Sequence, residues 1–178
     1  MNKTINETII YDGKIITVKK ETVLLPNGTQ ALREFVHHKD AVGILPIVNN
    51  EIILVKQYRT GSKSYMIEIP AGLIEENESP TNCALRELQE EIGYLPNKLH
   101  FICKYFLSPG YCDELIYLYY ADDLVESNLP QDDDEFIEII KIPLNEIDNF
   151  ISENIKNNFL DAKTILALSL YKNIKTKN

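Results

Sequence analysis

Three glutamates, Glu87, Glu90 and Glu91, fall within a single helical turn or so of each other in the stretch GLIEENESPTNCALRELQEEIGY, Gly72 to Tyr94. At about 100° per residue they share one face of a helix, while Ala84, Leu85, Leu88 and Ile92 line much of the rest. Like charges at i,i+4 cost an isolated helix a few tenths of a kcal/mol, so Glu87 facing Glu91 asks for a neutralising cation. Arg86, one turn before Glu90, can hold one carboxylate but not three. Hard oxygen donors of this kind suit a divalent ion such as Mg²⁺, which takes one or two carboxylates and fills its remaining positions with water and phosphate oxygens. The other reading of the same residues is a solvated acidic face.

The segment carries its own boundaries. Ser79 is a good N-cap, Pro80 suits the first helical position, and Gly93 is placed to end the helix with a left-handed cap. The spacing therefore predicts one helix from Pro80 to Gly93, entered from a glycine turn at Gly72.

Gly72, Glu78, Arg86, Glu87, Leu88, Glu90, Glu91 and Gly93 match at every spacing the pattern G-x5-E-x7-R-E-U-x-E-E-x-G-U, in which U is a bulky apolar residue. Only Tyr94 is a loose fit. On these residues the segment resembles the Nudix box, and the resemblance implies a hydrolase for a nucleoside diphosphate linked to another moiety. It also implies Glu87, Glu90 and Glu91 as metal ligands, with the carbonyl of Ala71 as a further one, and Mg²⁺ (or Mn²⁺ or Zn²⁺) as the cation. Arg86 would orient the glutamates by charge-assisted hydrogen bonds, and Glu78 would support them.

The flanks resemble the ADP-ribose pyrophosphatase branch of that family. Ser108-Pro109-Gly110 places Pro109 fifteen residues beyond Tyr94, and Gln57-Tyr58-Arg59 with Glu68-Ile69-Pro70-Ala71-Gly72 resembles that branch's approach to the box. The implied reaction is hydrolysis of ADP-ribose to AMP and ribose 5-phosphate. Arg59, Glu68, Pro109 and Glu114 become substrate-contact candidates, since a guanidinium can pair bidentately with phosphate and a carboxylate can accept from ribose hydroxyls or an adenine amine. Tyr58, Tyr65 and Tyr111 could stack on the base. Besides Glu90, Glu91 and Arg86, the catalytic candidates are Asp133 and Glu135, the two acidic positions of the loop from which a general base comes in this branch. Alternatives are a Nudix pyrophosphatase for another substrate (an ADP-sugar, NADH or FAD) and a noncatalytic nucleotide-sensing module.

The elements that must position these residues follow a strand-rich order. Strands are expected near 7–12, 14–25 and 31–38, then a hairpin of Ala41–Val48 with Glu51–Tyr58 through Asn49-Asn50, and a strand from Tyr65 to Ile69 entering the box. After the helix come strands near 98–107, 114–121 and 135–142 and helices near 143–153 and 161–174. This order fits the α/β/α sandwich with a mixed sheet that the resemblance implies, preceded by a small β-rich segment over 1–40. The resemblance further implies that this segment dimerises, leaving 41–178 as the catalytic domain.

At 178 residues, 44% of them hydrophobic, the chain suits one domain of ordinary size. A net charge of −9 argues against nucleic acid or an anionic membrane as partner, and makes a cation necessary to bring a diphosphate in. Cys83, Cys103 and Cys112 have neither zinc-site nor disulfide spacing, His37, His38 and His100 suggest surface or structural roles, and no apolar run reaches membrane length. A cytoplasmic homodimer acting on a small nucleoside diphosphate is the expectation.

Overall fold

A computed structural model describes residues 3–131, 136–157 and 159–175. The described residues form ten strands and three helices in two compact units. The first comprises the chain up to Ala41 with Lys104–Ile116; the second comprises Val42–Cys103 with the chain from Tyr117 onward.

In the first unit β1 (Lys3–Asp12), β2 (Ile16–Leu24) and β3 (Gln30–His38) make an antiparallel sheet in that order. Gly28, at φ +82°, turns the chain between β2 and β3. Residues 108–113 fold onto the end of β3. The Val36 N–H donates to the Tyr111 carbonyl at 2.7 Å, and the Asp113 carboxylate takes the His38 N–H at 2.9 Å and lies 2.7 Å from Nδ1 of His37. Burial pushes the Asp113 carboxyl up, but the bonds from His37 and His38 outweigh it and hold the group below its ordinary range. His37 and His38 thus anchor a loop.

The second unit is built on a seven-stranded sheet. Its main order is β10 (Glu138–Pro143), β5 (Glu51–Arg59), β4 (Ala41–Val48), β9 (Leu115–Glu126), β8 (Tyr94–Phe106), with β6 (Ser64–Glu68) paired to β5 and β7 (Ala71–Leu73) paired to β4. Asn49 and Asn50 join β4 to β5 with φ of 51° and 64°, the two left-handed residues that a two-residue hairpin turn needs. Alternation divides the sheet's side chains. Val42, Ile44, Ile53, Val55, Tyr119 and Ala121 point to one face, where they enclose Cys83, Ala84, Leu88 and Ile92 of the box helix α1 (Pro80–Glu91) and the residue that follows it. On the other face, Tyr120 of β9 meets Tyr171 of α3 (Ala162–Lys175), whose Ala167 and Leu168 are fully buried. Helices therefore cover both faces, an α/β/α arrangement. β10 passes through a 3-10 turn, Leu144–Glu146, into α2 (Ile147–Lys156).

Several boundaries differ from expectation: β1 starts at Lys3 rather than near 7 and β9 runs on to Glu126 rather than 121, and two further differences have a local cause. β8 begins at Tyr94 rather than near 98, because Pro96 lies on a strand at the end of the main order, where a missing N–H breaks no ladder. β7 is three residues long, too short to leave a periodic pattern in the sequence.

Candidate active site

The box helix starts as its sequence demands. Ser79 is extended, its hydroxyl takes the Asn82 N–H at 3.1 Å, and Pro80 occupies the first turn. At the other end Gly93 has φ +74°, the left-handed residue that releases the chain into β8. Between them, burial of Cys83, Ala84 and Leu88 fixes the helix's rotation, and Arg86 and the three glutamates are set by it.

Arg86 is the hub. Its Nε and Nη2 donate to Glu78 at 2.9 and 3.0 Å, and its Nη1 donates to Glu87 at 2.7 Å and to Glu90 at 2.8 Å. Nη2 also reaches the Leu73 carbonyl at 3.2 Å, which ties the helix to β7. These bonds, Glu78's first, hold the guanidinium more firmly ionised than usual. Glu78 also accepts the Glu75 N–H, and the Arg86 bond brings its carboxyl down to about 2.

Glu91 is 2% exposed and accepts the Ala71 N–H at 3.2 Å, so the helix's last acidic residue is joined to the first residue of β7. Glu87 lies against Gly72. A Cβ added at Gly72 would stand 1.8 Å from Oε1 of Glu87 and 1.9 Å from its Cδ. Gly72 does not have a positive φ, so the expected glycine turn is corrected: this glycine is needed for the space its missing side chain leaves to Glu87.

A second charged group lies at the ends of β5 and β6. Nε and Nη2 of Arg59 donate to the two oxygens of Glu68 at 2.7 and 2.8 Å. The Glu68 side chain is 2% exposed and that of Arg59 is 42% exposed. Burial pushes Glu68 up, yet Arg59 and Lys163 outweigh it and leave the carboxyl below its ordinary range. Arg59 is raised first by its bond to Glu68 and, at longer range, by the negative charge of Glu91. Sequence reasoning missed Lys163, whose contact with Glu68 forms only in the folded chain, and Asp161, which accepts from the same lysine.

The structure thus gathers Glu78, Arg86, Glu87 and Glu90 around one guanidinium, joins Ala71 to Glu91, and pairs Arg59 with Glu68. Pro109 and Glu114 belong to the first unit; the Glu114 side chain is 16% exposed, 3.6 Å from Nδ1 of His38. Tyr58 and Tyr65 are exposed and meet edge to face at 5.7 Å, and Tyr111 is exposed in the first unit. Asp133 and Glu135 lie outside the described residues. The described chain just before them is tied to α1: Leu129 N–H donates to the Gln89 carbonyl at 3.2 Å and the Gln131 amide to the Glu91 carbonyl at 3.3 Å.

Whether a divalent cation fits can be judged from the donors. Among the described residues no three His, Cys, Asp or Glu side chains already converge as a formed metal centre. The donor chemistry does fit: Glu78, Glu87 and Glu90 bring three carboxylates to one guanidinium, Glu91 adds a fourth at the end of the same helix, and a hard cation suits the excess of oxygen donors and negative charge. Cys83 is no competing soft ligand, since burial first, and the Glu87 charge next, push its thiol far up.

Comparison with known proteins agrees with this geometry. The NUDIX domain profile matches residues 37–165, and the profile of the nucleoside diphosphate sugar hydrolase N-terminal domain matches residues 3–36. The chain is 38% identical to the methanol dehydrogenase activator of Bacillus methanolicus, and 38% identical to the ADP-ribose pyrophosphatase of Bacillus subtilis. Each match covers 93% of this chain and 90% of the other protein. It is 29% identical to the ADP compounds hydrolase NudE of Escherichia coli, over 93% of this chain and 89% of that one. A crystal structure of an ADP compounds hydrolase superposes with a TM-score of 0.89 at 28% identity, covering 99% of this chain and 95% of the other. Among the described residues no helix is long and apolar enough to cross a membrane.

Proposed function

The chain belongs to the NUDIX family, and from that membership we propose that it hydrolyses the pyrophosphate bond of ADP-ribose, giving AMP and ribose 5-phosphate, with a divalent cation, Mg²⁺ or else Mn²⁺ or Zn²⁺. The observation that carries the reading is the Arg86 hub, which holds Glu87 and Glu90 of α1 together with Glu78 from the loop before it, while Glu91 is fastened to Ala71. The near full-length similarity to an ADP-ribose pyrophosphatase supports the choice of substrate.

Glu87, Glu90, Glu91 and the Ala71 carbonyl would hold the cation, which when bound polarises phosphoryl oxygens and stabilises charge on the departing phosphate. Arg86 holds the carboxylates fixed in direction, so that little reorganisation is needed when the substrate arrives. Arg59 offers its exposed guanidinium to the diphosphate, and Glu68 fixes its orientation. Asp133 or Glu135 takes the proton from the attacking water; the tether of Gln131 to Glu91 supports a base from that stretch.

The first unit forms a dimer interface. β1 is exposed along its whole length, and Ile5, Ile9, Ile10 and Tyr11 offer apolar surface there, with Ile15 exposed in the turn that follows. Light scattering at micromolar concentration tests this: a monomer removes the dimer.

A broader ADP-compound specificity is the second reading, favoured by the superposition on an ADP compounds hydrolase. A panel of ADP-ribose, ADP-glucose, NADH, FAD and diadenosine polyphosphates, with products resolved by chromatography in Mg²⁺ and in EDTA, decides between them. ADP-ribose should have the highest kcat/KM, and EDTA should abolish turnover. A panel led by NADH or an ADP-sugar overturns the first reading, and tight binding without product in Mg²⁺ makes the protein a sensor.

A further inference from the structure

The segment before α3 reaches back onto β6. The Ile67 N–H donates to the Phe159 carbonyl at 2.7 Å, Ile67 and Leu160 form a parallel bridge, and the Ile69 N–H donates to the buried Thr164 hydroxyl at 2.9 Å. Asp161 starts α3, its Oδ1 taking the Thr164 N–H at 3.0 Å. Its Oδ2 accepts from Nζ of Lys163, which donates to Oε2 of Glu68 as well. Oε1 of Glu68 takes Nε of Arg59, and Oε2 takes Nη2 of Arg59 together with the lysine.

The result is an ionic string, Asp161, Lys163, Glu68, Arg59, with two charges of each sign. It is buried in its middle and open at its ends: Glu68 is 2% and Lys163 12% exposed, whereas Asp161 is 26% and Arg59 42% exposed. Glu68 occupies only two of the five N–H donors of the guanidinium, leaving the outer edge of the fork for an anion. Lys163 is too buried to meet a substrate as a freely moving surface lysine would.

We propose that Lys163 is a positioning residue for substrate binding, which by holding Oε2 of Glu68 sets the guanidinium of Arg59 to receive the diphosphate. This rests on the reading of Arg59 as a diphosphate contact. Without the lysine the whole charge of a buried carboxylate falls on Arg59, drawing it inward and cancelling its attraction for an anion. The groups proposed to hold the cation and to take the proton are other residues, on α1 and in the 133–135 stretch, so the effect belongs to KM and not to kcat.

The test is a cycle of Lys163→Met, Lys163→Arg, Arg59→Ala and the Lys163→Met/Arg59→Ala double variant, with kcat and KM for ADP-ribose in saturating Mg²⁺. Arg59→Ala should raise KM about tenfold, and Lys163→Met about fivefold with kcat within about twofold, as expected when one charged contact is lost or misdirected at a partly solvated site. Lys163→Arg should restore most of the loss, and the double variant should have the KM of Arg59→Ala alone. A normal KM for Lys163→Met beside a raised one for Arg59→Ala overturns this inference and leaves the Arg59 reading standing. A normal KM for Arg59→Ala overturns both. A Lys163→Met effect that persists undiminished in the double variant is a long-range charge effect and overturns the positioning role. Should Lys163→Met fail to fold, Lys163→Gln, which keeps a hydrogen-bond donor without the charge, is read in the same cycle.

Discussion

Replacing Gly72 by alanine would put a methyl group where the Glu87 carboxylate sits. The new Cβ would be 1.8 Å from Oε1 and 2.4 Å from Oε2, against an ordinary contact of 3.4–4 Å, so the carboxylate must retreat by about 1.5 Å or more. That movement breaks its 2.7 Å bond to Nη1 of Arg86, a charge-assisted bond worth about 1.5–3 kcal/mol. The backbone itself gains, because Gly72 has no positive φ and alanine there saves about 0.4–1 kcal/mol of unfolded-chain entropy. The net loss is about 1–2 kcal/mol, a fall in Tm of roughly 3–7 °C for a chain of this size.

Activity should suffer far more than stability. If Glu87 holds the cation, a displacement of an ångström or more costs about a hundredfold in kcat, and half-maximal activation should move to higher Mg²⁺. Calorimetry gives Tm, and initial rates over a Mg²⁺ series give kcat and the activation constant. The double variant Gly72→Ala/Glu87→Ala isolates the cause, since with the carboxylate gone the methyl group has room and Gly72→Ala should become neutral or slightly stabilising in that background. If Gly72→Ala keeps kcat within about twofold and an unchanged Mg²⁺ dependence, Glu87 is not held where its chemistry requires and the assignment fails.

Three further perturbations probe other parts of the site. Glu91→Gln keeps the size of the buried side chain but removes its charge, and should lower kcat by about two to three orders of magnitude with the melting profile nearly unchanged; near-normal Mg²⁺-dependent turnover would discard Glu91 as a ligand. Glu78, brought from an ordinary value of 4.5 to about 2 by Arg86, stabilises the folded chain fully above pH 4.5 and loses that contribution as pH falls through about 2. With solvent screening at this partly wetted pair the contribution is about 1–2 kcal/mol, so Glu78→Gln should be less stable than the native chain at pH 7 and converge with it in acid, as urea titrations at pH 7, 4 and 2.5 would read. Gly93→Ala forces a methyl group into φ +74° and to 2.1 Å from Oδ1 of Asn128, and should cost about 1–2 kcal/mol in urea titrations, with Gly93→Asn costing less.

What could be read from the chain and what could not divide by the range of the interactions involved. The hairpin through Asn49-Asn50 and the box helix were legible because turn, cap and apolar spacing are local, and each acts within a few residues. Gly72 was legible as a glycine but not for its reason, since a turn and a close approach leave the same residue in the sequence. Glu68 was harder still. As a charge at a strand end it suggested the surface or a substrate, yet its burial is made possible by Lys163, 95 positions further on. Nothing in the residues around Lys163 marks it, and only the packing of the last helix against β6 gives it a role.

The two arginines show why the site needs both kinds of interaction. Arg86 and its carboxylates stand within the span of the box, so the α1 fold largely assembles them, and their mutual bonds make the acidic face rigid. Arg59 lies on β5 and depends on a carboxylate from β6 whose second cation comes from α3, so its orientation is secured only when the C-terminal segment has docked. A buried carboxylate between two cations is costly to desolvate, and breaking it from either side leaves an uncompensated charge. That cost is justified where direction matters more than stability. A guanidinium free to swing would meet an incoming diphosphate in many poses, whereas one fixed along one edge by two bonds presents a single fork, and the entropy of choosing that pose is spent on folding and not on each turnover.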